Sequence, residues 1–427
     1  MNRLQVFFNN VLVNKELRNK LLFTFGIILV YRLLAHIPVP GVDIRSIQTL
    51  FQGNQFLSLL NIFSGGTLAN FSIAAVGITP FITASIIMQL AGMVFPAIKE
   101  MQKDGESGRE KVNQYTRLLS VPLGVFQSIS VLALLSSQNL LTTMDPLTLI
   151  AMIIALVVGG MVIMWLGELI SLYGLGNGIS MILLAAIISQ LPQATIQALS
   201  VTTQQQMTTN ITFAVLFLII IGVIVFMNEA IRKVPIQYAK RVRGSRSIGG
   251  QTTHLPIRVN VAGVMPIIFA VSIMLVPTFA GSMLIGLDNP QLIDLGQKLN
   301  LWFAPTSSLY IALYFLVVFV FTFFSATIFF NTEDISEELK KSGAFMPGIR
   351  PGSPTKKYLD FVVTRITLAG AIFLGIIAVL PSFAQILTGV GALAIGGTSA
   401  LIVVSVILET SKQVESMLVG QNYDKYI

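Results

Sequence analysis

The sequence predicts an all-α polytopic membrane protein of ten transmembrane helices in two inverted five-helix halves. Three observations carry this expectation. Only 11% of the 427 residues are charged and 54% are hydrophobic, against roughly 25% charged in an ordinary soluble domain, and the mean hydropathy is +0.79. Ten apolar windows, at about 18–37, 72–96, 118–138, 147–168, 177–195, 211–229, 261–280, 308–330, 362–383 and 390–409, each approach the roughly 20 residues needed to cross about 30 Å of hydrocarbon. The 27 lysines and arginines also fall on one side: all but Arg32, Arg45 and Lys298 lie before the first span, after the second, sixth or eighth, or in the tail. Basic residues near span ends stay in the cytoplasm. Both termini are therefore expected there, as an even number of spans requires.

Taken in order, the N-terminal "MNRLQVFFNNVLVNKELRNK" has basic residues but no small-residue cleavage site after its first apolar stretch, so it reads as retained rather than as a removable signal peptide. The first span carries Arg32 near its outer end, where a long basic side chain is expected to snorkel to the interface. From Ser46 to Ile98 there is no Asp, Glu, Lys or Arg. Yet "FSGGTLANFSIAAVGITPFITASIIMQL" (63–90) is not written like a plain lipid-facing helix. Gly65, Gly66, Gly77 and Pro80 loosen it, and Thr79, Thr83, Ser85 and Gln89 make its apolar background partly polar. Ile78 and Ile82, four apart, share one helix face.

After the fourth span, "YGLGNGIS" (173–180) resembles a dinucleotide turn only loosely. It follows a membrane span rather than a strand, so it reads as a helix break and restart. In the fifth span Ile179 and Leu183 repeat the four-residue spacing beside Gly176 and Gly178. The polar stretch "SVTTQQQMTTN" (200–210) then divides the chain into an N-terminal half, 1–200, and a C-terminal half, 201–427. With an odd number of spans each, the second half enters the membrane upside down relative to the first, an arrangement that puts a pathway at their interface. Two long cytoplasmic loops, 231–260 and 331–361, are basic and rich in Gly and Pro. They are expected to protrude as hairpin-like fingers with turns at Arg243-Gly244, Gly249-Gly250 and "PGIRPGSP", and to offer a docking surface.

Several function classes are disfavoured. With no cysteine, thiolate nucleophiles and Cys-based metal sites are excluded. His36 and His254 are the only histidines and form no pair at metal-ligand spacing, so no metal or cofactor is expected. A secondary transporter is an alternative suggested by inverted halves and broken helices, but ion coupling needs ionisable groups buried at mid-depth. No charged residue occurs from Leu169 to Asn228 or from Ile366 to Leu408. An intramembrane enzyme lacks a nucleophile-base set.

The 63–90 stretch, "KDGESGREKVNQYTR", "GLGNGIS", "YAKR" with "GGQTTHLPIRVNVAGVMPIIFA", "GAFMPGIRPG" and "IGGTSALIVV" together resemble the SecY family, the central pore subunits of the bacterial Sec protein translocase. The resemblance runs from the first span to near the end of the last. It implies a protein-conducting channel in the bacterial cytoplasmic membrane, with a central pore, a plug and a lateral gate. The implied plug is a mobile half-helix at about 57–70, including Phe63, Ser64, Gly65, Gly66 and Thr67. The implied gate runs between the second span, through Thr79, Thr83, Ser85 and Gln89, and the seventh, through Val276. Its polar side chains would tolerate water when the gate opens and bond a neighbour when it closes. Ile78, Ile82, Ile179, Leu183, Ile268 and Ile402 correspond to an aliphatic pore ring, Leu183 standing where the family most often has isoleucine.

The resemblance also implies partners: the SecE and SecG subunits, the SecA motor ATPase, the ribosome, signal sequences and preproteins, and membrane lipids. The implied partner-binding loop residues are Lys240, Arg241, Arg243, Arg246, Arg350, Lys356 and Lys357. Arg350 matches an arginine that the family needs for translocation. Leu172 and Tyr173 stand where the family often has a charged pair before its "GIGNG", a departure that alters any contact through that short loop.

Overall fold

In the computed structural model, residues 14–40, 42, 47–48, 61, 64–137, 145–200, 204–238, 241–243, 246–248, 252–261, 263–285, 289–388 and 397–424 are described. The helices in chain order are α1 (Lys15–Leu34), α2 (Thr79–Val94), α3 (Pro96–Lys103), α4 (Gly105–Ser137), α5 (Pro146–Tyr173), α6 (Gly178–Ser200), α7 (Gln204–Glu229), α8 (Met265–Ile285), α9 (Pro290–Trp302), α10 (Ser308–Phe329), α11 (Thr332–Lys341), α12 (Ser353–Thr388) and α13 (Gly397–Asp424). The ten apolar windows fall on α1, α2, α4 to α8, α10, α12 and α13. Among the described residues five helices are individually long and apolar enough to cross a membrane, and α2 with α3 makes a sixth as a pair bent by 109°.

Helix starts follow local chemistry. The Asn14 side chain accepts from the Glu16 and Leu17 amides at 3.1 and 3.2 Å and so caps α1. Proline opens α2, α3, α5 and α9, since its missing N–H costs nothing in a first turn. Pro80 therefore starts a helix instead of loosening one, and the second apolar window is helical only from Thr79. The residues before it, 64–71 and 73–78, are consecutive turns. Phe95, extended at φ −100° and ψ 112°, and Pro96 after it produce the sharp bend into α3.

The long loops depart from the all-α expectation. β1 (Ile231–Tyr238) pairs antiparallel with β4 (Thr252–Arg258), Val234 opposite Leu255, and between them β2 (Arg241–Arg243) and β3 (Arg246–Ile248) form a hairpin with Arg243 opposite Arg246. A short strand from the second loop, β5 (Ala344–Phe345), pairs with the other edge of β1, so the sheet order is β4-β1-β5. The first loop is hairpin-like, but the two loops are one unit rather than separate fingers. Val234 and Ile236, two apart on one strand face, are buried, and Val234, Ile257, Met346 and Leu359 form a small core shared by both loops. The second loop is also largely helical. Lys356 of α12 pairs with Glu333 of α11 at 2.9 Å, and Ser336 of α11 donates to the Gly352 carbonyl at 2.8 Å.

The main core gathers Ile78, Ile82, Ile182, Leu183, Ile268, Leu374 and Ile402. Segments before and after residue 200 meet along two seams: α8 packs on α2 and α4, and α13 packs on α6. A second cluster of Val39, Phe71, Leu132, Met152 and Leu156 seats the turn-rich segment against α4 and α5.

Candidate functional site

Between these seams lies a cavity of about 80 Å³. Ile78, just before α2, Ile82 in its first turn, Leu183 of α6, Ile268 of α8 and Ile402 of α13 all line it. Each is less than a tenth exposed. Five of the six residues matched to a pore ring thus converge on one space from four helices. The sixth, Ile179, does not line the cavity; it leans against α5 beside Gly167. A helix has 3.6 residues per turn, so the i, i+4 relation keeps Ile179 and Leu183 on one side of α6 without making them point alike. Ile163, Ile182 and Phe279 complete much of the apolar wall; nothing in their spacing distinguished them from ordinary span residues.

An apolar cavity of about 150 Å³ admits one benzene molecule, and this space, at about 80 Å³, is smaller than that and too tight for an extended polypeptide. Its polar contributors are few: Tyr31, Ser64, Thr79, Gln127 and Ser272. The Ser272 hydroxyl donates to its own helix, to the Ile268 carbonyl at 3.0 Å.

The segment matched to the plug contributes Ser64 and Leu68 to the cavity. Phe63 lies outside the described residues, as do most of residues 57–63. From Ser64 to Asn70 the chain forms turns rather than a half-helix, because Gly65 and Gly66 have φ of +71° and +85°, values a right-handed helix does not contain. Nor is it loosely packed. A Cβ on Gly65 would stand 2.8 Å from both Ala186 and the Tyr31 hydroxyl, and Thr67 is fully buried with its hydroxyl donating to the Ser64 carbonyl at 2.8 Å. The far end of the segment is tied to the chain after α1, Val39 N–H to the Phe71 carbonyl at 2.8 Å and Ile73 N–H to the Ile37 carbonyl at 3.0 Å. Phe71, at φ 39°, is held in this uncommon conformation by complete burial.

The polar side chains of α2 bond within their own helix: Thr83 donates to the Thr79 carbonyl at 3.0 Å and Gln89 to the Ser85 hydroxyl at 3.2 Å. A carbonyl one turn back is always within reach of such a hydroxyl, which is why the bond to a neighbouring helix expected from the sequence is not the one made. Val276 of α8 is exposed, while Ile268, Val271, Ser272, Leu275 and Phe279 of the same helix face the cavity.

Arg32 also departs from its expected role. Instead of snorkelling outward, its Nη1 donates to the Gly65 carbonyl at 3.0 Å and to Ser189 Oγ of α6 at 2.9 Å. A carbonyl and a hydroxyl distant in sequence supplied what interfacial water would otherwise give.

The break between α5 and α6 is as the sequence suggested. Asn177 Oδ1 accepts from the Ile179 and Ser180 amides at 3.1 and 3.3 Å, restarting the helix, while the Leu175 and Gly176 amides donate to Thr24 Oγ1 and Gln413 Oε1 at 3.0 and 2.7 Å. The short loop thereby ties α1 to α13. Replacing Asn177 by Ala is expected to lower stability by about 0.5–2 kcal/mol, the usual worth of an N-cap, read as a lower Tm of the purified protein in detergent.

Of the residues matched to partner contacts, Lys240 lies outside the described residues, and Arg241, Arg243 and Arg246 stand on the paired strands β2 and β3. Arg350 is exposed between Gly348 and Gly352, both at positive φ, and its carbonyl accepts from Thr355 Oγ1 at 2.9 Å. Lys357 is exposed, whereas Lys356 is engaged with Glu333. Among the described residues no group of three or more His, Asp or Glu side chains is arranged to hold a metal ion.

Comparison with known proteins gives one answer. The SecY family model matches residues 72–411. A protein translocase subunit SecY from Mycobacterium tuberculosis is 40% identical over 440 aligned positions, covering 96% of this chain and 97% of its own. Among solved structures, a SecY translocation channel whose plug domain is described as stabilising the closed state and maintaining a membrane seal superposes with a TM-score of 0.66 at 19% identity, covering 95% of this chain and 93% of its own. Sec61 of the canine ribosome-channel complex superposes with a TM-score of 0.59 at 16% identity over the same shares of the two chains.

Proposed function

The chain belongs to the SecY family of protein translocase subunits, and from that premise we propose how it works. It is a protein-conducting channel that passes unfolded secretory polypeptides across the bacterial cytoplasmic membrane and releases hydrophobic segments sideways into the bilayer. The observation that carries this reading is the convergence of Ile78, Ile82, Leu183, Ile268 and Ile402 on one small apolar cavity. Aliphatic side chains seal against ions while closed and yield around a chain of almost any sequence when parted.

The segment from Ser64 onward acts as the plug, and α2 with α8 forms the lateral gate. A hydrophobic segment entering between them gains about 0.8 kcal/mol per methylene moved from water to lipid, so recognition is partition more than shape. Both termini and the shared loop unit face the cytoplasm. There Arg350, Lys357 and the β2–β3 hairpin meet the ribosome or the SecA motor through long-range charge attraction, and the SecE and SecG subunits complete the complex. The chain performs no chemistry itself; the driving energy comes from these partners.

The absence of native cysteine makes the test clean. A single cysteine introduced at Ile82 or Ile402 is expected to form a mixed disulfide with a cysteine in a precursor stalled during motor-driven transport, depending on the precursor position probed. No disulfide at either site, with transport confirmed, would overturn the path through this cavity.

A further inference from the structure

The strongest feature that the channel reading leaves unused is the polar attachment of the turn segment to α1 and α6. Tyr31 donates to the Ser64 carbonyl at 3.3 Å, and the neighbouring Arg32 donates to the Gly65 carbonyl and to Ser189. Ser189 in turn donates to the Ala186 carbonyl at 2.7 Å. Gly65 is wedged where no side chain fits, and a Cβ on Gly66 would stand 2.1 Å from Gln190. A guanidinium is charged at every physiological pH and carries donors in a fixed fork. Arg32 is half-buried, two of its donor contacts go to these acceptors, and the contact with Gly65 is lost if the segment leaves. The segment that contributes Ser64 and Leu68 to the cavity cannot move away while this attachment persists.

We propose that Arg32 is a positioning residue for transport: it fastens Gly65 to Ser189 and thereby sets how hydrophobic a segment must be to open the channel. The proposal rests on the channel reading above. The closed and open arrangements form a two-state equilibrium, and an entering segment shifts it only by its differential affinity for the open one. Removing a charge-assisted hydrogen bond moves such an equilibrium by on the order of tenfold. Strongly hydrophobic segments, which already drive opening to completion, gain little from that shift. Weak ones gain nearly all of it, so the attachment governs discrimination rather than capacity.

The test compares two precursors, one with a strong and one with a weakened hydrophobic segment, in proteoliposomes holding the whole complex and its motor. Arg32→Met, which keeps length without donors, is expected to raise the weak-to-strong transport ratio about tenfold. Arg32→Lys, which keeps a charge and a compact donor, should restore part of the discrimination. Ser189→Ala removes one acceptor and leaves the charge in place; it should raise the ratio less, and it carries the test should Arg32→Met fail to fold. An unchanged ratio in the variants, or an equal loss for both precursors, would overturn the role of Arg32 while leaving the channel reading intact. Failure of the unaltered complex to transport either precursor would instead overturn the channel reading, and this proposal with it.

Discussion

Replacing Ile82 and Ile402 together by Gly is expected to make the resting channel leak ions. Both side chains are nearly inaccessible, 7% and 1% exposed, and both face the same cavity from helices on opposite sides of the chain's midpoint. Truncating a buried isoleucine costs about 2–5 kcal/mol, and here the lost contacts are those between the walls of the constriction. The added volume joins an existing void of about 80 Å³ and is wide enough to wet. With about 1.4 kcal/mol per tenfold, open probability should rise tenfold or more. Conductance across a planar bilayer is the measurement, and background current in the double variant would count against the seal. Ile179→Gly, away from the cavity, serves as the control and should conduct far less.

Gly159→Ala is expected to be one of the two most damaging single methyl groups in the chain's first five spans, beside Gly178→Ala, whose Cβ would stand 1.7 Å from the Gly167 carbonyl oxygen. A Cβ on Gly159 would stand 1.8 Å from the Ile73 carbonyl oxygen and 2.6 Å from its carbon, so the obstacle is backbone and not a side-chain tip that can swing away. The turn segment would have to lift off α5, disturbing the contacts of Phe71 with Met152 and Leu156 in the same cluster. Overpacking of this kind typically costs about 1–3 kcal/mol and sometimes more; here it should sit at or beyond the upper end. Two other helix glycines calibrate it. At Gly160 the nearest atom is the Gly77 carbonyl oxygen at 3.1 Å, and at Gly222 nothing lies within 4 Å. Gly160→Ala should therefore be mild, and Gly222→Ala should gain up to about 1 kcal/mol of helix propensity. Thermal unfolding in detergent ranks the three; Gly159→Ala no worse than Gly160→Ala would show that the segment is not seated on α5.

Much of this was legible in one dimension. Long apolar windows and the one-sided lysines and arginines give spans and expected sidedness, because bilayer thickness and topology respond to composition rather than to packing. The break at "YGLGNGIS" could be read directly, since Asn and Gly punctuate helices by local geometry alone. Ile78, Ile82, Leu183, Ile268 and Ile402 could be singled out only through resemblance, because an aliphatic residue in a span carries no local mark that distinguishes a cavity from lipid.

What the tertiary structure alone decided were the interactions between parts distant in the chain. Ile179 and Leu183 share a spacing but not a destination, because where a side chain points depends on the neighbouring helix. Arg32 turned inward, because acceptors at Gly65 and Ser189 lay within reach. The Gly65-Gly66 turns proved tightly seated, since a glycine permits close approach as readily as mobility. The two basic loops, more than 70 residues apart in the chain, joined through β1 and β5 because an unpaired strand edge presents donors and acceptors to whatever strand the fold brings beside it. The sequence by itself determined the periodic and compositional features of this protein, which each residue expresses wherever it sits. Seats, latches and shared edges belong to pairs of residues, and only the folded chain chooses the pairs.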